Sequence, residues 1–248
     1  MILHASECLI GQGKVGATLS YLQTHPRLGD MSLARQEARR FLFPLHLINA
    51  LLFVAWWLWP WTWPGILGFF TLFVLLTLFI SHFFRDPERV VPADPNLIVS
   101  AADGTVVGVD EMDEPDFQLG RMRRIAVFLS IFDVHVNRAP VEARVTKTTY
   151  KPGEFLDVRH PESSVRNECL AWRLESPRGL VAVRQIAGLI ARRIVAWSGE
   201  NKSVARGERI GMIRFGSRTE VFLPLDCTVL VKPGDRVAGA ATPIARWP

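Results

Sequence analysis

Cysteines, lysines and basic clusters are all scarce in this sequence of 248 residues. Its three cysteines, Cys8, Cys169 and Cys227, have the spacing of neither a disulfide framework nor a metal site, which suits a reducing compartment. None of its five lysines lies in a recognisable Schiff-base setting for pyridoxal phosphate. A net charge of +5 without a basic cluster argues against nucleic-acid binding. We therefore expect no metal ion, no pyridoxal phosphate and no nucleic acid partner.

The segment from Phe41 to Phe84 contains no Asp, Glu, Lys or Arg. A bilayer core of roughly 30 Å needs about 20 helical residues, so this segment is long enough to cross it twice. Pro60 and Pro64 lie at its middle among tryptophans, where proline disfavours a continuous helix and tryptophan prefers the membrane interface. The sequence therefore predicts a hydrophobic membrane hairpin over 41–84, with helices near 41–59 and 65–84.

Arginines flank both ends of this hairpin. Arg35, Arg39 and Arg40 precede it, and Arg85 and Arg89 follow it. Because positive residues accumulate on the cytoplasmic side, we expect the chain in the cell (inner) membrane with its catalytic domain in the cytoplasm. A hairpin that only dips into one leaflet remains an alternative. The N-terminal segment, 1–40, lacks a continuous apolar core ending in small residues, so we expect no cleaved signal peptide.

From Asp86 onward, short β-branched runs alternate with Gly and Pro, which is typical of a soluble β-rich domain. Strands are predicted near 97–101, 105–110, 124–131, 142–149, 168–175, 180–186, 208–214, 219–223 and 227–231. The stretch 181–197 is also compatible with a partly helical structure. The predicted fold is an N-terminal α-helical membrane hairpin plus a mainly β, β-rich α+β domain over 85–248, of sandwich or barrel type.

Four short motifs give this domain a family resemblance. They are Phe83-Phe84-Arg85-Asp86-Pro87-Glu88-Arg89, Ser100-Ala101-Ala102-Asp103-Gly104-Thr105-Val106, Phe132-Asp133-Val134-His135-Val136-Asn137-Arg138-Ala139-Pro140 and Arg214-Phe215-Gly216-Ser217-Arg218-Thr219-Glu220-Val221. In order and spacing they resemble the short form of the phosphatidylserine decarboxylase family, from about Phe83 to Ala245. That family consists of pyruvoyl enzymes made by self-cleavage of a proenzyme. The resemblance implies a membrane-bound carboxy-lyase that converts phosphatidylserine to phosphatidylethanolamine and CO2.

The Gly216-Ser217 pair can supply the chemistry of such a cleavage. A serine hydroxyl can attack the carbonyl before it, which moves the acyl group from nitrogen to oxygen and makes an ester. Elimination of the glycine carboxylate and hydrolysis then leave a pyruvoyl group at position 217 and release ammonia. Glycine favours the attack because it lacks a Cβ and tolerates a strained backbone. An isolated Gly-Ser pair would more often be a simple turn, so the flanking match carries this assignment.

Serine is a weak nucleophile at neutral pH and needs a general base that a further group orients. The resemblance implies His135 as that base and Asp103 as the orienting carboxylate, because both match family motifs. Long-form members carry a second histidine in this motif, where Arg138 stands here. Whether His135 serves cleavage, decarboxylation or both therefore stays open.

The resemblance also implies the partners and the cofactor. The pyruvoyl group from Ser217 replaces pyridoxal phosphate, the large and small chains remain associated, and the substrate is a phospholipid in the membrane. Since guanidinium groups bind phosphate through paired hydrogen bonds, Arg138, Arg85 and Arg89 are candidate lipid contacts. The sequence leaves open whether the protein forms a homodimer.

Three rival functions remain at this point. The substrate could be another serine-headed lipid such as archaetidylserine, because nothing in the sequence reports on lipid tails. The domain could be a non-catalytic barrel-sandwich carrier or adaptor, although no Met-Lys-Met turn for biotin or lipoate is present. A serine hydrolase would retain Ser217 and use the same His135 and Asp103.

Overall fold

Two long helices begin the part of the chain described by the computed structural model, which covers residues 33–58, 63–160, 162–189 and 193–248. They are α1 (Leu33–Leu58) and α2 (Trp63–Phe83). The pair of helices predicted near 41–59 and 65–84 is therefore confirmed. The Pro60 turn predicted between them lies outside the described residues, and so does the segment 1–32.

Helix α1 begins at Leu33, eight residues before the predicted start. These first residues precede the apolar segment, and they are helical because they pack against the rest of the protein. Ala34 and Ala38 are 0% and 3% exposed and belong to one buried cluster with Phe83 and Phe84. A hydropathy pattern could not reveal this extension, because charged residues surround both alanines. The same residues are good helix formers, which explains why the helix continues through them. The start of α1 therefore joins the helix pair to the β domain.

Both helices are long and apolar enough to cross a membrane, which is consistent with membrane association. With 26 and 21 residues, they extend about 39 and 32 Å at 1.5 Å per residue. Large apolar side chains remain on their surface, with Phe43 75% exposed and Trp57 74% exposed. Between the helices, Asn49 Nδ2 donates a hydrogen bond to Thr77 Oγ1 at 3.0 Å. An apolar surface of this extent marks a membrane or protein contact rather than a face in water.

The rest of the described chain is rich in short strands. They are β1 (Leu97–Val99), β2 (Gly104–Asp113), β3 (Arg121–Leu129), β4 (Val136–Arg138), β5 (Ala143–Lys151), β6 (Cys169–Ser176), β7 (Gly179–Ala187), β8 (Ile194–Ala196), β9 (Ser203–Val204), β10 (Arg209–Ile213), β11 (Ser217–Leu223), β12 (Thr228–Val229), β13 (Arg236–Val237) and β14 (Pro243–Arg246), with a single-turn helix α3 (Ser163–Arg166). Each of the nine predicted strands has a counterpart here. Strands β7 and β8 occupy the stretch that was also compatible with helix.

These strands form one large antiparallel sheet and two small ones. The large sheet has the order β13-β2-β3-β11-β7-β6-β5-β9, and the small sheets are β4-β10-β8 and β1-β14-β12. The main apolar core contains side chains from all three sheets, including Leu129, Trp172 and Ile213. The predicted fold class, a helical hairpin followed by a mainly β domain, is confirmed.

Candidate active site

The predicted cleavage segment is a turn that carries the chain from β10 in a small sheet to β11 in the large one. Phe215 and Gly216 adopt positive φ angles of 59° and 64°. Glycine accepts this backbone readily, whereas a phenylalanine in the left-handed region costs on the order of 1–3 kcal/mol. The Phe215 ring stacks on Phe83 of α2 with centroids 4.4 Å apart, and this packing offsets the strain.

Ser217 is the first residue of β11 and lies between two neighbouring strands. It pairs with Leu129 of β3 on one side and with Ala187 of β7 on the other. The residue is fully buried, and its Oγ has no hydrogen-bond partner among the described residues. A buried polar group without a partner costs about 1–3 kcal/mol, so this hydroxyl destabilises the folded chain by about that amount.

His135 lies just before β4 and contacts the cleavage segment directly. The Gly216 N–H donates a hydrogen bond to its Nε2 at 3.2 Å, and its Nδ1 lies 3.0 Å from the carbonyl oxygen of Asp133. Because a carbonyl oxygen can only accept, Nδ1 carries the proton and Nε2 keeps its lone pair. Burial lowers the pKa of His135 to about 4, so the imidazole is neutral near pH 7.

The loop that supplies this carbonyl is fixed by the carboxylate of Asp133. Its Oδ2 accepts hydrogen bonds from the backbone N–H and the hydroxyl of Ser130, both at 2.8 Å, and its Oδ1 accepts one from Arg236 at 2.6 Å. Burial alone would raise the pKa of Asp133, but the hydrogen bonds from Arg236 and Ser130 lower it. Sequence reasoning missed this positioning role, although Asp133 stands two residues before His135 in the same motif.

In this structure the carboxylate of Asp103 contacts Gly239 and Arg89 rather than His135, so its orienting role stays a prediction. Its Oδ1 accepts the Gly239 N–H at 2.8 Å, and its Oδ2 pairs with Arg89 at 2.5 Å. Burial raises the pKa of Asp103, against the opposing effects of Gly239 and Arg89. The ring of His135 instead contacts the backbone carbonyl of residue 133. Any residue type can supply a backbone carbonyl, so a sequence motif cannot reveal this contact.

The three arginines predicted to hold lipid phosphate have different surroundings. Arg138 is 5% exposed and donates to Asp86 at 2.8 Å, to Pro87 O at 3.0 Å and to Gly207 O at 3.2 Å. These contacts connect the chain that follows α2 to β4, and the contact of Arg138 with lipid phosphate stays a prediction. Arg89 forms an ion pair with Asp103.

Arg85 remains a candidate because it meets only neutral oxygens. Its guanidinium donates to the backbone carbonyl of His82 at 2.9 Å and to that of Phe132 at 2.6 Å. Its positive charge is therefore not compensated by either contact. Phe132 is 65% exposed, and its contact with Arg85 places it near the end of α2.

Gly188 packs directly against the carbonyl of Gly216. A Cβ placed on Gly188 would lie 2.3 Å from the carbonyl oxygen of Gly216 and 3.2 Å from its carbonyl carbon. Only glycine permits this approach, since real Cβ contacts are never so short. The backbone at Gly188 thus fixes one side of the peptide bond predicted to break.

The base of the helix pair forms the wall behind this site. The Phe83 ring lies 4.4 Å from the His135 ring, and Phe41 and Phe84 surround Phe215 at 6.4 and 6.3 Å. The same aromatic cluster therefore excludes water from the imidazole and holds the strained turn. Phe83 and Phe84 begin the first of the four motifs, but the motif did not indicate their contact with His135 and Phe215, which lie far along the chain.

The described residues contain no metal-binding cluster, and their two cysteines are buried. The described residues contain no group of three or more His, Cys, Asp or Glu side chains that could hold a metal ion. Cys169 and Cys227 are buried free thiols, and burial raises their pKa values to about 12 and about 11. Both are therefore protonated at neutral pH and unreactive as nucleophiles.

Fold and site together define a β domain attached to an apolar helix pair, with a Gly-Ser peptide bond that follows the strained Phe215 and lies beside a neutral imidazole. The family model of phosphatidylserine decarboxylase matches residues 76–245. The phosphatidylserine decarboxylase proenzyme of Symbiobacterium thermophilum is 49% identical over 174 residues, which cover 70% of this chain and 81% of that protein. The proenzyme of the same name from Pelobacter propionicus is 48% identical over 181 residues, which cover 72% and 81%. This chain belongs to the phosphatidylserine decarboxylase family and is a carboxy-lyase.

Proposed function

We propose that the chain is a membrane-bound proenzyme that cuts itself between Gly216 and Ser217 and then decarboxylates phosphatidylserine to phosphatidylethanolamine. The observation that carries the proposal is the hydrogen bond of 3.2 Å between the Gly216 N–H and the neutral Nε2 of His135, next to Ser217, whose buried hydroxyl has no partner among the described residues. Family membership supports the decarboxylation, and the name proenzyme given to both relatives supports the cleavage.

In this proposal His135 is the general base for the cut. The Gly216 N–H leaves Nε2, and the hydroxyl of Ser217, one residue further along, takes its place as the hydrogen-bond donor. Nε2 then accepts the hydroxyl proton while Oγ bonds to the carbonyl carbon of Gly216. The C–N bond to Ser217 then breaks, and the released nitrogen takes the proton. Burial lowers the pKa of His135 to about 4, which keeps Nε2 unprotonated at neutral pH and makes the imidazolium short-lived once it has accepted the proton.

The ester formed in this way completes the reaction by elimination. Loss of the Ser217 Cα proton expels the Gly216 carboxylate, and water releases ammonia from the resulting dehydroalanine. The fit of the site to a pyruvoyl group rests on the orphaned Ser217 Oγ and on the tight cradle that Gly188 forms at the scissile carbonyl. A pyruvoyl ketone at position 217 supplies the electron sink for decarboxylation that pyridoxal phosphate supplies in other enzymes.

The two chains are expected to stay together after the cut. Strand β11 starts at Ser217, and its backbone pairs with β3 and β7 along both edges. Further along, β13 pairs with β2, and β14 pairs with β1. The small chain 217–248 is thus hydrogen-bonded to strands of the large chain in the large sheet and in one small sheet.

The lipid substrate gives the helix pair its proposed role. We place the helices in the cell (inner) membrane with the β domain on the cytoplasmic side, on the strength of the arginines that flank them. Anchoring keeps the site at the surface that presents the headgroup, which raises the effective substrate concentration. Decarboxylation of another serine-headed lipid, such as archaetidylserine, is one outcome of the substrate test below.

Denaturing electrophoresis with intact-mass measurement tests the proposal. We expect the purified wild-type chain to be cut after Gly216, with a small chain blocked to Edman degradation, and to release CO2 from phosphatidylserine in vesicles. Ser217→Ala should stay full-length and inactive. Ser198→Ala is the matched control, because its hydroxyl is also buried and unpartnered but lies outside the site.

The alternatives give different results in the same experiment. An uncut wild-type chain that reacts with a fluorophosphonate would identify a serine hydrolase and overturn the proposal. An uncut, unreactive chain would indicate a carrier or adaptor. A cut chain that decarboxylates only serine lipids with other tails would retain the mechanism and change the substrate.

A further inference from the structure

A cavity of about 480 Å³ lies where the two helices leave the apolar region and meet the β domain. Its lining residues are Arg35, Ala38, Arg39, Leu42, Ser81, Phe84, Arg85, Asp86 and Pro87. Arg35, Arg39 and Leu42 are spaced by four and three residues along α1, which places them on one helix face. The opposite wall is the end of α2 and the chain that follows it.

Arginines outnumber acidic residues among the residues that line this cavity. Asp86 is the acidic residue among those that line it, and its side chain is fully buried. Both of its oxygens are engaged, since Oδ1 accepts from Arg138 at 2.8 Å and Oδ2 from Arg209 at 2.6 Å. The charge of Asp86 is therefore compensated from outside the cavity.

Three arginines contribute the positive charge. Arg35 and Arg39 are exposed on α1, and Arg85 donates only to neutral backbone carbonyls. Guanidinium groups that converge on one cavity are suited to a phosphate, which they hold through paired hydrogen bonds.

Other residues of the lining are apolar and suit the part of a lipid that adjoins its headgroup. Ala38, Leu42 and Phe84 form an apolar side, and Leu42 lies within the charge-free segment of the chain. The site is cationic at one end and apolar at the other, and it lies at the proposed cytoplasmic ends of the two helices. This arrangement matches a phospholipid whose headgroup lies at the membrane surface.

We propose that this cavity binds the phosphate of an anionic phospholipid, with Arg35, Arg39 and Arg85 as its ligands. The inference rests on the membrane placement proposed above and adds Arg35 and Arg39 to the functional residues. The phosphate can come from the substrate itself or from a second, non-substrate lipid, and these two sources share the same chemistry.

Steady-state decarboxylation by the full-length protein in phosphatidylcholine nanodiscs tests this proposal. The surface fraction of phosphatidylserine is varied, first alone and then with added phosphatidylglycerol. For Arg35→Gln combined with Arg39→Gln, we expect the surface KM to rise by about tenfold, which corresponds to about 1.4 kcal/mol, with kcat within about twofold. Arg40→Gln is the matched control, since Arg40 carries the same charge on the same helix but does not line the cavity.

The phosphatidylglycerol arm distinguishes the two sources of phosphate. If the substrate occupies the cavity, phosphatidylglycerol competes with it in the wild type and has less effect on the double variant. If a second lipid occupies it, phosphatidylglycerol stimulates the wild type, and the double variant loses the stimulation. A double variant that matches Arg40→Gln in KM and in its response overturns the proposal. Failure of the proposed function would look different, because the wild type itself would then remain uncut and release no CO2.

Discussion

Glu37 near the start of α1 forms an ion pair with Arg214, the residue that opens the cleavage turn. The two side chains are 12% and 10% exposed, so the pair is largely withdrawn from water. The Arg214 guanidinium also lies over the Phe41 ring, 5.6 Å from its centroid. Helix α1 therefore contacts the turn that precedes Ser217 through both a charge and a ring, which connects the helix pair to the proposed cleavage site.

Removing the charge of Glu37 should slow self-cleavage. In Glu37→Gln, Arg214 becomes a largely buried charge without its partner, a change that costs several kcal/mol when burial is complete. A loss of only about 1.4 kcal/mol in the cleavage transition state slows the cut tenfold, so we expect a decrease of about tenfold or more. The measurement is the fraction of cut chain against time after cell-free synthesis.

Two further variants separate this effect from a general loss of stability. Glu37→Asp should restore part of the rate because it restores the charge. Glu88→Gln removes an exposed carboxylate that pairs with Arg209 and should cleave at the wild-type rate. Equal rates for Glu37→Gln and the wild type would show that the ion pair does not position the turn.

The pH dependence of the cut reports on the burial of His135. Because its pKa is lowered to about 4, the neutral base persists well below pH 6.5, and the cleavage rate should fall only as the pH approaches 4. An inflection near pH 6.5 would instead indicate a solvated imidazole. His135→Ala should cut at least about a hundredfold more slowly at every pH, whereas His160→Ala, in an exposed loop, should not change the rate.

The same depressed pKa predicts that the uncut protein loses stability in acid. Between pH 6.5 and 4 the unfolded chain binds a proton at His135 that the folded chain does not, so stability falls as the pH falls through this window. A shift from 6.5 to about 4 corresponds to roughly 3 kcal/mol. Denaturant titrations of Ser217→Ala at both pH values measure the loss, which should be smaller when His135→Gln is added. An unchanged loss would contradict a neutral, buried His135.

Local sequence predicted the strands, whereas the contacts around the candidate site residues depend on distant parts of the chain. Ser217 and His135 stand in short motifs, whereas Glu37 reaches Arg214 across 177 positions of the chain. Strand β11 was predicted only from position 219 because its first residues are polar. They are nevertheless buried, since Arg218 pairs with the fully buried Glu220 on the same strand. A buried ionic side chain breaks the alternation from which strands are inferred.

The contacts of Asp103 predict a milder effect than its motif suggests. Asp103→Asn keeps an oxygen for the Gly239 N–H but loses the ion pair with Arg89. Because neither contact involves the cleavage turn, we expect the cut to slow by less than about tenfold, far less than with His135→Ala. Timed electrophoresis of both variants decides this. Equal defects would mean that Asp103 takes a direct part in the cut.

The approach of Gly188 to the scissile carbonyl predicts a defect from a single methyl group. In Gly188→Ala the new Cβ would meet the carbonyl oxygen of Gly216 at 2.3 Å, and this neighbour is backbone that cannot rotate away. The carbonyl must then shift from the position that Ser217 Oγ attacks, and displacements of about 1 Å at reacting atoms cost on the order of a hundredfold in rate. Gly199→Ala is the control, because nothing lies within 4 Å of a Cβ at that position. We expect Gly188→Ala to accumulate as an uncut, folded chain while Gly199→Ala matures normally, as measured by intact mass and thermal unfolding. Normal maturation of Gly188→Ala would show that this close approach does not position the reacting carbonyl.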